Sequence, residues 1–192
     1  NNLEELKKLD VKTLFEAYTE AKKGMRMMAC LPVIDGELII DTLVNLLKEN
    51  KQHHIPYMIG STSEDMMPPF MNMMAKDWCV RHGGYAWYFD RQLPGDENGA
   101  WHSSELWYFF GTLANGWRPF TEHDYKLSDA MSTALCNFAR TGNPNEPGTD
   151  IWKMTSKDQK EMMIWGEKMP HMGKPSAFKM WKTMLTKKNV GE

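Results

Sequence analysis

The sequence predicts an α/β fold in which a mostly parallel sheet is flanked by helices. Residues 55–60 are a short, continuous apolar run, which is typical of a strand buried on both faces of a parallel sheet. Residues 85–90 have the aromatic composition and the length of a second strand. Residues 121–142 have the apolar spacing of a long amphipathic helix. Strands separated by helices indicate an α/β architecture.

Two short helices are predicted at the start of the chain, with Asp10 as the N-cap of the second helix and Gly24 as its stop. We expect them to be surface helices that pack on something larger. Their apolar residues follow helical spacing: Leu3, Leu6, Leu9, Leu14, Phe15 and Tyr18.

A further strand and a further helix are predicted next. Residues 31–36 are an apolar, strand-like run that ends in a turn. Asp41 then stands at the N-cap position of a helix that closes by Asn50. The residues that we expect to face inward from this helix are Leu43, Val44 and Leu47.

Four further patterns follow from residue 66 onward. Residues 66–78 are rich in Met, Pro and aromatic side chains, which predicts a helical wall or lid over a pocket, or else plain core packing. Thr121 and Asp124 form a capping box at the start of the long helix, which Gly142 ends. Residues 162–165 are predicted to be an edge strand. A last helix is expected to face inward through Phe178, Trp181 and Leu185.

Composition and charge exclude several classes of function. The formal net charge of −2 gives no electrostatic footprint for nucleic acid or an anionic membrane surface. No apolar run approaches the length of about 20 residues that a membrane span needs. Cys30, Cys79 and Cys136 are odd in number and lack Cys-x-x-Cys spacing, which predicts buried free thiols. This cysteine usage, with no visible signal peptide, favours a cytoplasmic over a secreted protein.

A candidate acid-base pair follows the two predicted strands. Glu64 and Asp65 lie on the turn after the first strand, and His102 comes after the second, between Gly99-Ala100 and an aromatic run. Catalytic groups collect at the carboxyl ends of strands in open α/β sheets. A catalytic histidine needs a carboxylate that fixes its tautomer and a nucleophile that it serves. We expect one carboxylate of the pair to reach His102 and the other to face solvent.

Four landmarks carry a resemblance to a known family. Pro-Val-Ile-Asp-Gly at 32–36, Ile-Gly-Ser-Thr-Ser-Glu-Asp at 59–65, Gly-Ala-Trp-His-Ser-Ser-Glu-Leu at 99–106, and residues 137–145 followed by Trp152 resemble consecutive landmarks of the type-B carboxylesterases, the family of carboxylesterases and cholinesterases. The resemblance implies that residues 1–192 are the C-terminal portion of a catalytic domain with the α/β-hydrolase fold. Such a portion is incomplete without its N-terminal part.

The resemblance also implies roles for individual residues. His102 matches the family's general base, and counting from Gly60 places the acid at Asp65, with Glu64 as the second choice. The family usually has Glu followed by Gly where this chain has Asp65 and Met66. The family uses no cofactor and no metal, so Glu105, in His-x-x-Glu spacing, is not expected to be a ligand. The predicted apolar wall around a small-molecule ester substrate, for which core packing is the alternative, is formed by Met66, Met67, Phe70 and Trp101.

The family's nucleophile elbow, Gly-x-Ser-x-Gly, does not occur in these 192 residues, and neither does its glycine-rich oxyanion loop. We therefore expect the N-terminal part of the same enzyme to carry the nucleophilic serine, and this chain alone to be inactive. Two alternatives stay open. The chain could belong to a member of the fold that lost the serine and acts as a binding or adhesion module, or it could be an inactive fragment.

Overall fold

A computed structural model describes residues 3–21, 23 and 32–187 of the chain. The chain separates into two compact units, Asn1–His53 and His54–Glu192, and every candidate site residue lies in the second unit. The predictions made for Gly24, Cys30 and Leu31 lie outside the described residues. Within the described ranges, every helix is too short or too polar to cross a bilayer.

The described residues of the first unit form three short helices, α1 (Leu3–Leu6), α2 (Val11–Ala21) and α3 (Leu43–Lys48). Asp10 caps α2 as predicted, since its Oδ1 accepts the backbone N–H of Thr13 at 3.0 Å. The apolar side chains of α1 and α2 are exposed in the structure, so their packing on something larger stays a prediction.

Three expectations for this unit are wrong. Residues 32–36 form no strand, because the Asp35 carboxylate accepts the three backbone N–H groups of residues 37–39 and closes a turn. The N-cap of α3 is Thr42, whose Oγ1 accepts the Asn45 N–H at 3.2 Å, and not Asp41. Val44 is exposed rather than inward-facing, whereas Leu47 is half-buried; the side chain of Leu43 lies outside the description.

The second unit is built on a four-stranded sheet in the order β1 (Met58–Thr62), β2 (Tyr85–Phe89), β3 (Met162–Trp165) and β4 (His171–Gly173). The first three strands are parallel and β4 is antiparallel to β3. The predicted mostly parallel sheet is therefore confirmed. β1 begins three residues later than expected, and β3 is wrong as an edge strand because β4 pairs with its outer side.

Helices cover both faces of this sheet, as predicted. The larger core lies on the face covered by α5 (Leu106–Phe109) and α6 (Glu122–Thr141), where Trp87 and Phe89 pack with Leu127 and Met131. The opposite face is covered by α4 (Pro68–His82) and α7 (Ala177–Lys187), where Ala86 packs on Cys79 and Tyr88 on Met180. All five residues of β2 are buried, which explains its continuous apolar sequence.

The long helix α6 begins and ends where the sequence predicts. The capping box of Thr121 and Asp124 is present, and Gly142 follows its last turn in the left-handed conformation. The predicted inner face of α7 is wrong, since Met180 and Thr183 are buried. Helix α7 has apolar side chains on more than one stripe, so spacing alone does not select the stripe that packs on the sheet. The stripe that stays exposed is Phe178, Trp181 and Leu185.

The cysteine prediction is confirmed for one residue and wrong for another. Cys79 is a buried free thiol on the inner face of α4, and burial raises its pKa to about 12. Cys136, on α6, is also free but exposed. Its thiol therefore does not act as a small core residue.

Candidate active site

The backbone continues to pair after β1 and β2 end. Ser63 donates its N–H to the carbonyl of Phe89 at 2.9 Å, and Glu64 donates its N–H to the carbonyl of Ala100 at 2.9 Å. Glu64 and Trp101 form an isolated parallel bridge. This pairing brings the next residues of the two segments, Asp65 and His102, to the same place at the edge of the sheet.

Asp65 and His102 are joined by a direct contact. The Oδ1 of Asp65 lies 2.9 Å from the Nδ1 of His102 and also accepts the backbone N–H of Met66 at 2.8 Å. The Asp65 side chain is 6 % exposed, whereas that of His102 is 58 % exposed. A carboxylate in this position assigns the neutral imidazole its proton on Nδ1, since the tautomer follows from the hydrogen bond. The other nitrogen, Nε2, is then the proton acceptor.

His102 lies on a turn that a buried helix anchors. Ser103 has a positive φ of 70°, which is uncommon outside glycine and recurs at functional sites. Ser104 donates its N–H to the carbonyl of Trp101 at 3.0 Å, which closes the turn. Helix α5 follows at once and buries Tyr108 and Phe109. The buried aromatic residues after the histidine therefore anchor the turn.

Glu64 has a different environment from the one expected. Its Oε1 accepts the hydroxyl of Thr183 on α7 at 3.1 Å, and its Cγ lies against Gly99. The expectation that the second carboxylate faces solvent is therefore wrong. Of the two candidates for the acid, Asp65 is the one that contacts His102.

A third carboxyl group, Glu105, lies near the pair and was not predicted as part of it. Its Oε2 is buried and has no hydrogen-bond partner among the described residues. Burial raises the pKa of Glu105, its own backbone N–H opposes that rise, as does His102 whenever it is protonated, and the charge of Asp65 adds to it. The signal in the sequence was the His-x-x-Glu spacing, which places Glu105 one turn after His102. The described residues contain no cluster of three side chains suited to a metal ion.

The predicted apolar wall lies beside the pair. Met66 and Met67 directly follow Asp65, and Phe70 lies in the first turn of α4; they are 61 %, 48 % and 45 % exposed. The substrate wall and its alternative, core packing, therefore both stay predictions. Trp101 is half-buried and packs edge-on against Trp107, with ring centroids 5.7 Å apart.

A buried ionic network is centred on Asp124, and the sequence predicts only its capping-box contact with Thr121. Asp124 accepts hydrogen bonds from Arg91 Nε at 2.8 Å, the Tyr108 hydroxyl at 2.7 Å and the Thr121 N–H at 2.8 Å. Burial disfavours the charge of Asp124, but the hydrogen bonds from Arg91 and Thr121 outweigh burial and lower its pKa. The network joins the segment after β2, α5 and the start of α6.

Comparisons with known proteins identify the family of the chain. The protein-family model described as "Carboxylesterase family" matches residues 69–181, which is more than half of the chain. The chain is 27 % identical to human cocaine esterase over 188 residues, which cover 90 % of this chain and 32 % of that protein. It is 31 % identical to bovine carboxylesterase 4A over 90 residues, which cover 42 % of this chain and 15 % of that protein. The chain thus spans a third or less of the length of these relatives.

Solved structures show the same fold. A structure named PNB esterase superposes with a TM-score of 0.64 at 15 % identity, covering 92 % of this chain and 49 % of that chain. Another structure of PNB esterase gives a TM-score of 0.67 at 16 % identity, covering 95 % and 50 %. The predicted α/β-hydrolase fold is therefore confirmed. With a family match over more than half of its length and this fold, the chain belongs to the carboxylesterase family.

Proposed function

We propose that this chain is part of a serine esterase that hydrolyses carboxylic esters, with His102 as the general base and Asp65 as the acid that orients it. The observation that carries the proposal is the 2.9 Å contact between Asp65 Oδ1 and His102 Nδ1 at the paired ends of β1 and β2. Membership of the carboxylesterase family supports the reaction class.

The mechanism has two steps. His102 Nε2 takes the proton from a serine hydroxyl as the serine oxygen attacks the ester carbonyl, and it then gives that proton to the departing alcohol oxygen. In the second step, Nε2 takes a proton from water, the hydroxide attacks the acyl-serine, and the proton returns to the serine oxygen as the acid leaves. The buried carboxylate of Asp65 stabilises the imidazolium in both steps and remains ionised.

The serine and the oxyanion hole of this mechanism are proposed to lie in an N-terminal part of the same enzyme. The 192 residues contain no Gly-x-Ser-x-Gly sequence, and they correspond to 32 % of the length of human cocaine esterase. We therefore propose that residues 1–192 are the C-terminal portion of the catalytic domain and are inactive alone. The whole active site would form when the two parts are together.

The substrate proposed for this site is a small ester with an apolar group. Met66, Met67 and Phe70 are exposed next to Asp65, and Trp101 directly precedes His102. Methionine side chains are flexible and adapt to ligands of different shape. A wall of this composition suits an acyl or alcohol group with apolar surface better than a charged one.

Labelling with a serine-directed fluorophosphonate tests the proposal. The native protein is labelled, and intact masses identify the polypeptide that carries the label. We expect label on a polypeptide that co-purifies with this chain, and we expect His102→Ala to abolish labelling. His54→Ala, which changes an exposed histidine of the same unit, is the matched control and should label normally. Labelling that persists in His102→Ala, or a native protein that never labels, would contradict the proposal, and the second result would favour a binding module.

A further inference from the structure

We infer that Glu64 is a positioning residue for the Asp65–His102 pair, because it joins the turn that carries the acid, the loop that leads to the base, and helix α7. The inference rests on the proposed roles of Asp65 and His102. It assigns Glu64 a function that does not require contact with the substrate.

The first contact is made by the backbone of Glu64. Its N–H donates to the carbonyl of Ala100 at 2.9 Å, and the residue forms a parallel bridge with Trp101. Glu64 directly precedes Asp65, and Trp101 directly precedes His102. A displacement of Glu64 from this bridge would therefore change the separation between the acid and the base.

The second contact is made by the Cγ methylene of Glu64. It lies so close to Gly99 that a Cβ added at Gly99 would overlap it, and Gly99 has a φ of +71°. Only glycine combines this backbone conformation with this close approach. The side chain of Glu64 thus packs across the loop that leads to His102.

The third contact anchors the Glu64 carboxylate to α7. The Thr183 hydroxyl donates to Glu64 Oε1 at 3.1 Å, and Thr183 is 8 % exposed. One turn earlier, Met180 packs with Tyr88 and Ile164 in the core of that face of the sheet. The carboxylate is therefore held by a helix that the sheet itself fixes in place.

These contacts predict a role that depends on shape and hydrogen bonding. Glutamine keeps the Cγ methylene and the Oε1 acceptor, so Glu64→Gln should preserve the site. Alanine loses both features, so Glu64→Ala should loosen the segment that holds Asp65 against His102. The conservative variant thus separates positioning through contacts from an effect of charge.

Nuclear magnetic resonance of the ¹⁵N-labelled chain provides the test. Two quantities are measured for His102 at mildly alkaline pH: the exchange rate of the Nδ1 proton with water, and the ring ¹⁵N shifts that report the tautomer. We expect Glu64→Ala to accelerate exchange by about 10-fold and to introduce the other tautomer. This factor corresponds to a decrease of about 1.4 kcal/mol in the free energy of the local opening that exposes the Nδ1 proton to water. Glu64→Gln should stay within about 2-fold of the wild type.

Thr183→Val is the second variant, and it decides the test if Glu64→Ala does not fold. It keeps the shape of the side chain but removes the hydroxyl donor to Glu64, so exchange should accelerate several-fold. Thr133→Val, an exposed position on α6 across the sheet, is the matched control and should have no effect.

The outcomes separate this inference from the proposed function. Asp65→Ala should accelerate exchange whatever Glu64 does. If Asp65→Ala accelerates exchange, while Glu64→Ala and Thr183→Val exchange like the wild type, the inference is overturned and the proposed pair stands. Equal effects of Glu64→Gln and Glu64→Ala would also overturn it, since charge would then be responsible. If Asp65→Ala changes nothing, the proposed pair itself fails.

Discussion

The two faces of the sheet support different halves of the candidate site. The proposed base, His102, lies just before α5 on the α5 and α6 face, where the large aromatic core lies. The proposed acid, Asp65, follows Glu64, which Thr183 bonds from the α4 and α7 face, where the buried clusters are small. We therefore expect substitutions on the first face to cost mainly global stability, and substitutions on the second face to act mainly on the alignment of the pair.

The largest effect is expected from the buried network around Asp124. Asp124→Asn removes the charge that Arg91 pairs with, and breaking a buried ion pair costs about 3–5 kcal/mol. The free energy of unfolding, measured by urea titration, should fall by an amount in this range. Asp129→Asn, at an exposed position of the same helix, should change it by less than about 0.5 kcal/mol. Equal losses for the two variants would show that the network does not hold this face.

The second effect concerns the packing of β1 against β2 on the α5 and α6 face. Gly60 of β1 lies under the indole of Trp87 on β2, and a Cβ at Gly60 would overlap that ring. Gly60→Ala should lower the free energy of unfolding by about 1–3 kcal/mol, because overpacking forces the ring or the strand to move. Gly116→Ala is the control, since a Cβ there would meet its neighbours at 3.4 Å. A Gly60→Ala protein as stable as the control would contradict the packing described.

The third effect is a dependence of stability on pH. The pKa of Asp124 is lowered in the folded protein, so its ionised form stabilises the fold above the unfolded pKa of about 3.9. That contribution is lost as the pH falls below this value toward the lower pKa of the folded protein. The free energy of unfolding then falls by up to about 1.4 kcal/mol per pH unit. Urea titrations of the wild type and Asp124→Asn at descending pH should converge. Parallel curves would refute the assignment.

The sequence predicts elements whose pattern is local and misses contacts that bring distant segments together. β2 and α6 were predicted because a buried run and a capping box need no tertiary information. The meeting of Asp65 and His102 was expected from strand ends and from the family landmarks. The bond from Thr183 to Glu64 joins residues 119 positions apart, and the choice of the Met180 stripe of α7 depends on the sheet. No local pattern carries that information.

The smallest expected effect is a coupling between Gly99 and Glu64 in the free energy of unfolding. It is the effect most specific to the segment that carries Asp65. Gly99→Ala adds a Cβ that overlaps Glu64 Cγ and places alanine at a φ of +71°, which together should cost about 1–3 kcal/mol of unfolding free energy. Glu64→Ala removes the overlapping Cγ. The double variant should therefore be more stable than the sum of the single losses predicts, by about 0.5–1 kcal/mol.

Urea titration of the four proteins in this cycle measures the coupling. The backbone strain at residue 99 remains in both proteins that carry Gly99→Ala, so it cancels and leaves the steric contact. Exact additivity would show that Glu64 does not pack across the loop. A positive coupling would show that the acid turn and the loop before His102 are held together by side-chain contact as well as by the hydrogen bond from Glu64 to Ala100.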